Sequence, residues 1–193
     1  FACTYIMVNY GKLTVGTKEK PYLKKATITL HGDRLTPEIP VHGAKVIALR
    51  HGVIEMHGKP RQPTWTLVST TIPAGSSEVH VRGPVDWQVN ETIGIGSTDY
   101  QMYHNEIRRI VGVTCNGVPC DGQADVVTIH VEWPLQYEHY GERQCFGNPA
   151  VCVDEIAEVG LLTRNIKIQG DKNTYNLGFG GTMFMMPMGE TED

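Results

Sequence analysis

Apolar and polar positions alternate along this chain in short runs, and most runs stop at a glycine. Lys25–Gly32 (KATITLHG), Ala44–Gly52 (AKVIALRHG), Val53–Gly58 (VIEMHG), Glu78–Gly83 (EVHVRG), Thr92–Gly96 (TIGIG) and Asn165–Gly170 (NIKIQG) follow this form. A period of two marks a strand with one buried face. Glycine supplies the positive φ that a sharp corner needs. Tyr5–Tyr10, Ile110–Thr114, Asp125–Glu132 and two phrases within Ala157–Gly170 add further strands, and helical periodicity is almost absent. The pattern predicts an all-β chain. Strands recurring at such intervals suit a coil in which each turn lies on the last, about 4.8 Å away. Ile28 and Leu30, Val46 and Ala48, Val79 and Val81, and Ile166 and Ile168 then point inward. Short strands of this kind also build a β-sandwich, and periodicity alone leaves both open.

Thr36–Gly43, Gly58–Pro63 and Ile72–Ser77 read as turns between strands, and no stretch reads as a linker. Tyr100–Arg109 reads as a loop or short helical turn, and Tyr137–Ala150 as an aromatic, glycine-rich excursion. Gly178–Met188 reads as an approach to a last strand before the polar Glu190–Asp193. With 193 residues, one domain over 1–193 is expected, large enough for a substantial core. The formal charge of −4 provides no basic stripe for phosphates, so no nucleic-acid partner is expected. No apolar run approaches the roughly 18 residues that a membrane span needs, so no insertion is expected within this segment. The chain opens on Phe1 with no leader-like stretch, and is read as part of a longer protein.

Cysteine usage points outside the cell. Cys115 and Cys120 bracket Asn-Gly-Val-Pro, and Cys145 and Cys152 bracket Phe-Gly-Asn-Pro-Ala-Val. Spacers holding both Pro and Gly suit disulfide-closed loops. Two close pairs could also hold zinc, but neither spacer has the two-residue knuckle usual there. Cys3 is left unpaired within the segment. Asn90-Glu91-Thr92 is a glycosylation sequon, so Asn90 is a candidate glycan carrier. Cysteines and sequon together predict an extracellular or cell-surface setting.

Several phrases carry a family resemblance. Gly11–Thr17, Lys20-Pro21-Tyr22, Ala26–Gly32, Gly43-Ala44-Lys45, Glu55–Gly58, Thr64-Trp65-Thr66, Ser97–Tyr100, Ala157–Ile166 and Gly180-Gly181 occur in order. The series resembles the domain named for eight glycines, which occurs in fibrocystin-like proteins and in the hyaluronan-degrading proteins of the cell-migration-inducing type. The resemblance implies a single-stranded, right-handed parallel β-helix of the pectin-lyase kind. Residues up to about 100 would form the later part of the eight-glycine domain, and about 101–193 would continue as rungs with a disulfide-pinned loop. The hyaluronan-degrading members carry a large insertion after the Trp phrase. Here Thr64-Trp65-Thr66 reaches Trp87 across a turn, a connectivity nearer to the fibrocystin-like ectodomains.

Glycoside hydrolysis needs two carboxyl groups flanking the bond. Asp99 stands among Tyr100, Tyr103 and His104, whose rings could stack on sugars, and Glu106 follows closely. Asp99, His104 and Glu106 are therefore the catalytic candidates, with a turn-capping role as the alternative for Asp99. The eight histidines are scattered; His31 and His57 could align on adjacent corners, but no metal site is expected. Two functions follow. One is a non-catalytic structural and recognition module of a large fibrocystin-like glycoprotein, meeting extracellular proteins or glycans and able to build an oligomer or fibre through its parent. The other is part of a hyaluronan- or polysaccharide-depolymerising ectodomain. No cofactor is expected for the first, and calcium enters only with the second.

Overall fold

The computed structural model describes residues 1–120 and 124–186; Pro187, Met188 and Glu190–Asp193, read above as the close of the last strand phrase and a polar end, lie outside them. In chain order the strands are β1 (Ala2–Cys3), β2 (Tyr5–Asn9), β3 (Lys12–Val15), β4 (Ala26–Leu30), β5 (Val46–Arg50), β6 (Val53–Met56), β7 (Trp65–Leu67), β8 (Glu78–Arg82) and β9 (Thr92–Ile95). A 3₁₀ turn, Met102–His104, precedes β10 (Glu106–Cys115), β11 (Val118–Pro119), β12 (Val126–Val131), β13 (Arg143–Phe146), β14 (Val151–Asp154), β15 (Glu158–Leu161) and β16 (Ile166–Gly170). The short helix α1 (Thr174–Leu177) and β17 (Thr182–Met185) follow. Every glycine-ended phrase in the sequence contains one of these strands.

The chain is all-β, as its pattern predicts, but it does not wind as the right-handed parallel β-helix expected over 1–193. It forms two compact units, Phe1–Pro60 with the residues from Arg164 on, and Arg61–Thr163. Among the described residues, parallel ladders form three short sheets of the first unit, ordered β1-β4-β16, β17-β5-β2 and β3-β6, with a further parallel bridge between Tyr22 and Gly58. The largest sheet belongs to the second unit, in the order β7-β15-β9-β10-β12-β8, and every ladder in it is antiparallel. The physical reason is connection length. Parallel neighbours need a crossover of a dozen or more residues, whereas β9 returns into β10 through a short loop and the β10–β11 turn is tied by Cys115–Cys120. Alternation along a strand buries one face in either direction, so it carries no information on polarity.

Corners explain the first unit. Tyr10 (φ 52°) follows β2 and His51 (φ 49°) follows β5, where Asn9 and Arg50 are in register. Both take the left-handed conformation expected of glycine, and their rings stack with centroids 4.9 Å apart. The glycine comes one residue later: a Cβ on Gly52 would lie 2.6 Å from the Gly11 carbonyl oxygen. Beneath these corners Ile28, Leu30 and Ile47 are buried, with Ile6, Ile54, Met56 and Ile168 packed against them. Val46 and Ala48 are also buried, while Ile166 and Ile168 are half-buried. A buried lysine closes the unit's polar bookkeeping. Lys45 Nζ donates to Thr174 Oγ1 (2.8 Å) and to the carbonyls of Phe179 (2.9 Å) and Gly32 (3.2 Å), with Asp171 Oδ1 at 3.4 Å. Asn165 ties three segments together: its side chain accepts from Lys59 N–H and donates to the carbonyls of Tyr22 and Lys24.

In the second unit the sheet curls until its end strands meet. Val68 bridges Val81, and Ser69 N–H donates to the His80 carbonyl at 2.8 Å. Closing the ends removes exposed sheet edges. The inner face gathers Val79, Val81, Ile93, Ile95, Ile110, Val127, Ile129 and Val159 into one core. Trp87 joins it, its indole N–H donating to the Pro63 carbonyl at 2.8 Å. Arg61 ties Asp86 to Glu91, pinning the turn that carries Asn90. Cys145 and Cys152 are bonded across β13 and β14, and Cys3 is free.

Candidate functional site

The three catalytic candidates sit on one segment of the second unit, from the loop at Ser97 into β10, and their partners come from the segment Glu132 to Tyr140. Asp99 lies in the loop. Its Oδ1 accepts from Gln101 N–H (2.8 Å) and Ser97 Oγ (3.1 Å), while its Oδ2 meets His104 Nδ1 at 2.5 Å. The bond to His104, helped by Gln101 and Ser97, holds the Asp99 carboxyl below the usual carboxylate range. The His104 ring lies on Tyr137, centroids 3.7 Å apart. Asp99 thus does what a turn aspartate does and also fixes an imidazole.

Glu106 opens β10 and points inward, only 4% exposed. Burial alone would raise its pKa. The N–H groups of Gln136 (2.9 and 3.0 Å) and Tyr137 (3.1 Å), His139 Nε2 (3.1 Å) and the Arg108 guanidinium outweigh that and hold it low. His139 is itself fully buried, with Nδ1 donating to the Gly96 carbonyl at 2.8 Å. Arg108 also donates to the carbonyls of Trp133 and Pro134. Asp99 and His104 are therefore brought into contact, while Glu106 has a different set of partners. Tyr137 links the two groups: its N–H bonds Glu106 and its ring carries His104.

His139 and Tyr137 escape sequence reasoning because each meets Glu106 from more than thirty positions away, Tyr137 through its backbone N–H, and Arg108 because two of its acceptors lie 25 and 26 positions along the chain. Two exposed rings are legible in the sequence, Tyr100 at 99% and Tyr103 at 79% exposed, and the structure adds Trp133 at 68%. They crown a loop pair whose underside is fixed by buried charge. Among the remaining candidates, Asn90 is exposed at a left-handed turn position (φ 72°), next to β9. His31 faces Asp171 and His57 faces Glu55, so these two serve separate ion pairs.

Comparison with known proteins locates this arrangement. Residues 1–69 match the G8 domain. Human (Homo sapiens) fibrocystin-L is 36% identical over 168 residues, covering 87% of this chain and 4% of fibrocystin-L. Fibrocystin of Canis lupus familiaris is 30% identical over 169 residues, 83% of this chain and 4% of that protein. A G8 domain-containing protein of Dictyostelium discoideum is 30% identical over 187 residues, 93% of this chain and 11% of that one. The chain thus spans a small fraction of the proteins it matches. It carries a G8 domain at residues 1–69 and is homologous, over most of its length, to a segment of fibrocystin-L.

Proposed function

We propose that this chain is a non-catalytic structural and recognition module of a large fibrocystin-L-like glycoprotein, displayed outside the cell or at its surface. The observation that carries this reading is the state of its carboxylates. A glycosidase needs one carboxyl with a raised pKa to protonate the leaving group. Glu106 and Asp99 are both pulled the other way, and all their oxygens already accept bonds from the protein itself. What the same loops leave free is aromatic surface, Tyr100, Tyr103 and Trp133, over a fixed polar base. Rigid aromatic side chains of this kind are what interfaces use as anchors. Two disulfide-closed turns suit an oxidising compartment. None of the described helices is long and apolar enough to cross a membrane.

The parent ectodomain, incubated with hyaluronan with and without calcium, is expected to leave polymer length unchanged on a sizing gel. Alanine at Tyr100, Tyr103 and Trp133 together is expected to weaken binding to extracellular-matrix proteins or glycans without lowering the melting temperature. Shortening of hyaluronan that disappears in Asp99→Asn would replace this reading with the polysaccharide-depolymerising one.

A further inference from the structure

On the outer face of the antiparallel sheet, two histidines flank one carboxylate. Glu78 and His130 are directly opposed across β8 and β12, and His80 is opposed to Thr128 two pairs along, the next pair on the same face. Glu78 Oε1 lies 3.5 Å from His130 Nδ1, and its Oε2 lies 3.9 Å from His80 Nε2. The far nitrogen of each ring is held by a threonine: His80 Nδ1 with Thr128 Oγ1 at 3.1 Å, and His130 Nε2 with Thr114 Oγ1 at 2.9 Å. Gly112 of β10 stands opposite His130 and leaves the room its ring occupies; a Cβ there would lie 3.1 Å from the ring's Cδ2. Three strands thus contribute: two bring donors, and the third brings a glycine that admits one ring and a hydroxyl that orients it.

We propose that His80 Nε2, His130 Nδ1 and the Glu78 carboxylate form a binding site for a zinc-type divalent cation, with water completing the coordination. Two imidazoles and a carboxylate are donors that zinc accepts in tetrahedral sites with an open position. Metal-bound imidazoles characteristically have their other nitrogen hydrogen-bonded, which fixes ring and tautomer. A hydroxyl can donate or accept, so each threonine bond survives whichever nitrogen carries the proton. As the side chains stand, no three such groups among the described residues are drawn tightly enough to hold an ion. The proposed site is one that closes on its ion. Bonds of about 2.0–2.2 Å place tetrahedral donors roughly 3.3–3.5 Å apart; the 3.5 Å contact of His130 with one Glu78 oxygen has that spacing, and the 3.9 Å contact of His80 with the other oxygen has to close. All three side chains are partly exposed, so an ion can reach them from solvent. His130 joins from a strand some fifty residues beyond Glu78 and His80, so spacing along the sequence does not show the set.

The test is calorimetric titration of Zn²⁺ into the chelator-stripped 193-residue chain. One saturable ion per chain is expected, with binding abolished in His80→Ala and in His130→Ala and retained in His51→Ala. Thr114→Val is expected to weaken binding about 10–100-fold. Cobalt absorbance offers a second readout, the intense visible bands of four-coordination appearing in the parent chain and not in Glu78→Gln. Absence of binding, or binding unchanged in the His80→Ala/His130→Ala double variant, overturns the proposal. Because these side chains lie on the sheet's outer face, circular dichroism of the variants is expected to match the parent chain.

Discussion

Glu106 illustrates how its bonding partners fix a residue's chemistry. Its carboxylate lies buried among Arg108, His139 and two backbone N–H groups, and truncating one member of such a group leaves charge unpaired. Glu106→Ala is expected to cost about 3–5 kcal/mol in chemical denaturation. Its folded pKa is depressed, so its contribution is present above the unfolded carboxyl value, about 4.3, and is lost as pH falls through the folded one. Melting temperatures followed from neutral pH towards pH 3 should fall less steeply in Glu106→Gln than in the parent; parallel curves would count against this account. Asn90 makes the second prediction at this scale. Exposed on a turn next to β9, it is expected to carry a glycan when the chain is secreted from animal cells. Glycosidase treatment should then shift the band on a gel, and Asn90→Gln should remove the shift.

At the scale of elements, several glycines act through close approach and not through their own dihedral angles. A Cβ on Gly141 would overlap the backbone of Thr70 and Thr71, and the Gly141 N–H donates to Thr71 Oγ1 at 3.1 Å. Gly141→Ala is therefore expected to destabilise by about 1–3 kcal/mol, measured by urea unfolding, because backbone cannot step aside as a side chain can. Gly58 is closed off differently: the atom in the way is Asn165 Oδ1, so Gly58→Ala displaces the side chain that joins Lys59 to Tyr22 and Lys24. Rapid amide exchange at Lys59 in that variant would reveal the broken tie. At the corners, Tyr10 and His51 take the conformation assigned to glycine, and they mark where reading corners from glycine alone is off by one residue.

For the whole molecule, the decisive feature is that residues 61–163 hold a core of their own. Val68, Ile93, Ile110, Ile129 and Val159 are buried within one cluster, and Leu161 N–H donates to the Thr64 carbonyl near the ends of the unit. Expressed alone, this segment is expected to melt cooperatively and to retain its Cys115–Cys120 and Cys145–Cys152 bonds. A non-cooperative transition in calorimetry would mean that its stability depends on the rest of the chain. The recognition surface and the histidine face both lie in this unit, so the segment provides a compact vehicle for testing each.

The sequence by itself determined the all-β class and a strand within each glycine-ended phrase, but not β13, which lies in the stretch read as an excursion, nor the start of β10 at Glu106, read as loop. Ile28, Leu30, Val79 and Val81 are buried where alternation places them, because period-two burial is a local property of an extended chain, whereas Ile47 is buried between Val46 and Ala48 and Ile166 and Ile168 are only half-buried. It also carried the phrases that mark a G8 domain. Strand direction and partnership lay beyond it: the same alternation serves a parallel or an antiparallel neighbour, and loop length decides between them. The site was legible in part. Asp99 and His104 are close enough in sequence for their contact to be anticipated, whereas Glu106 with His139, Lys45 with Asp171, and Glu78 with His130 are joined only by tertiary folding, since a buried or shared charge is defined by partners that the chain brings in from far away.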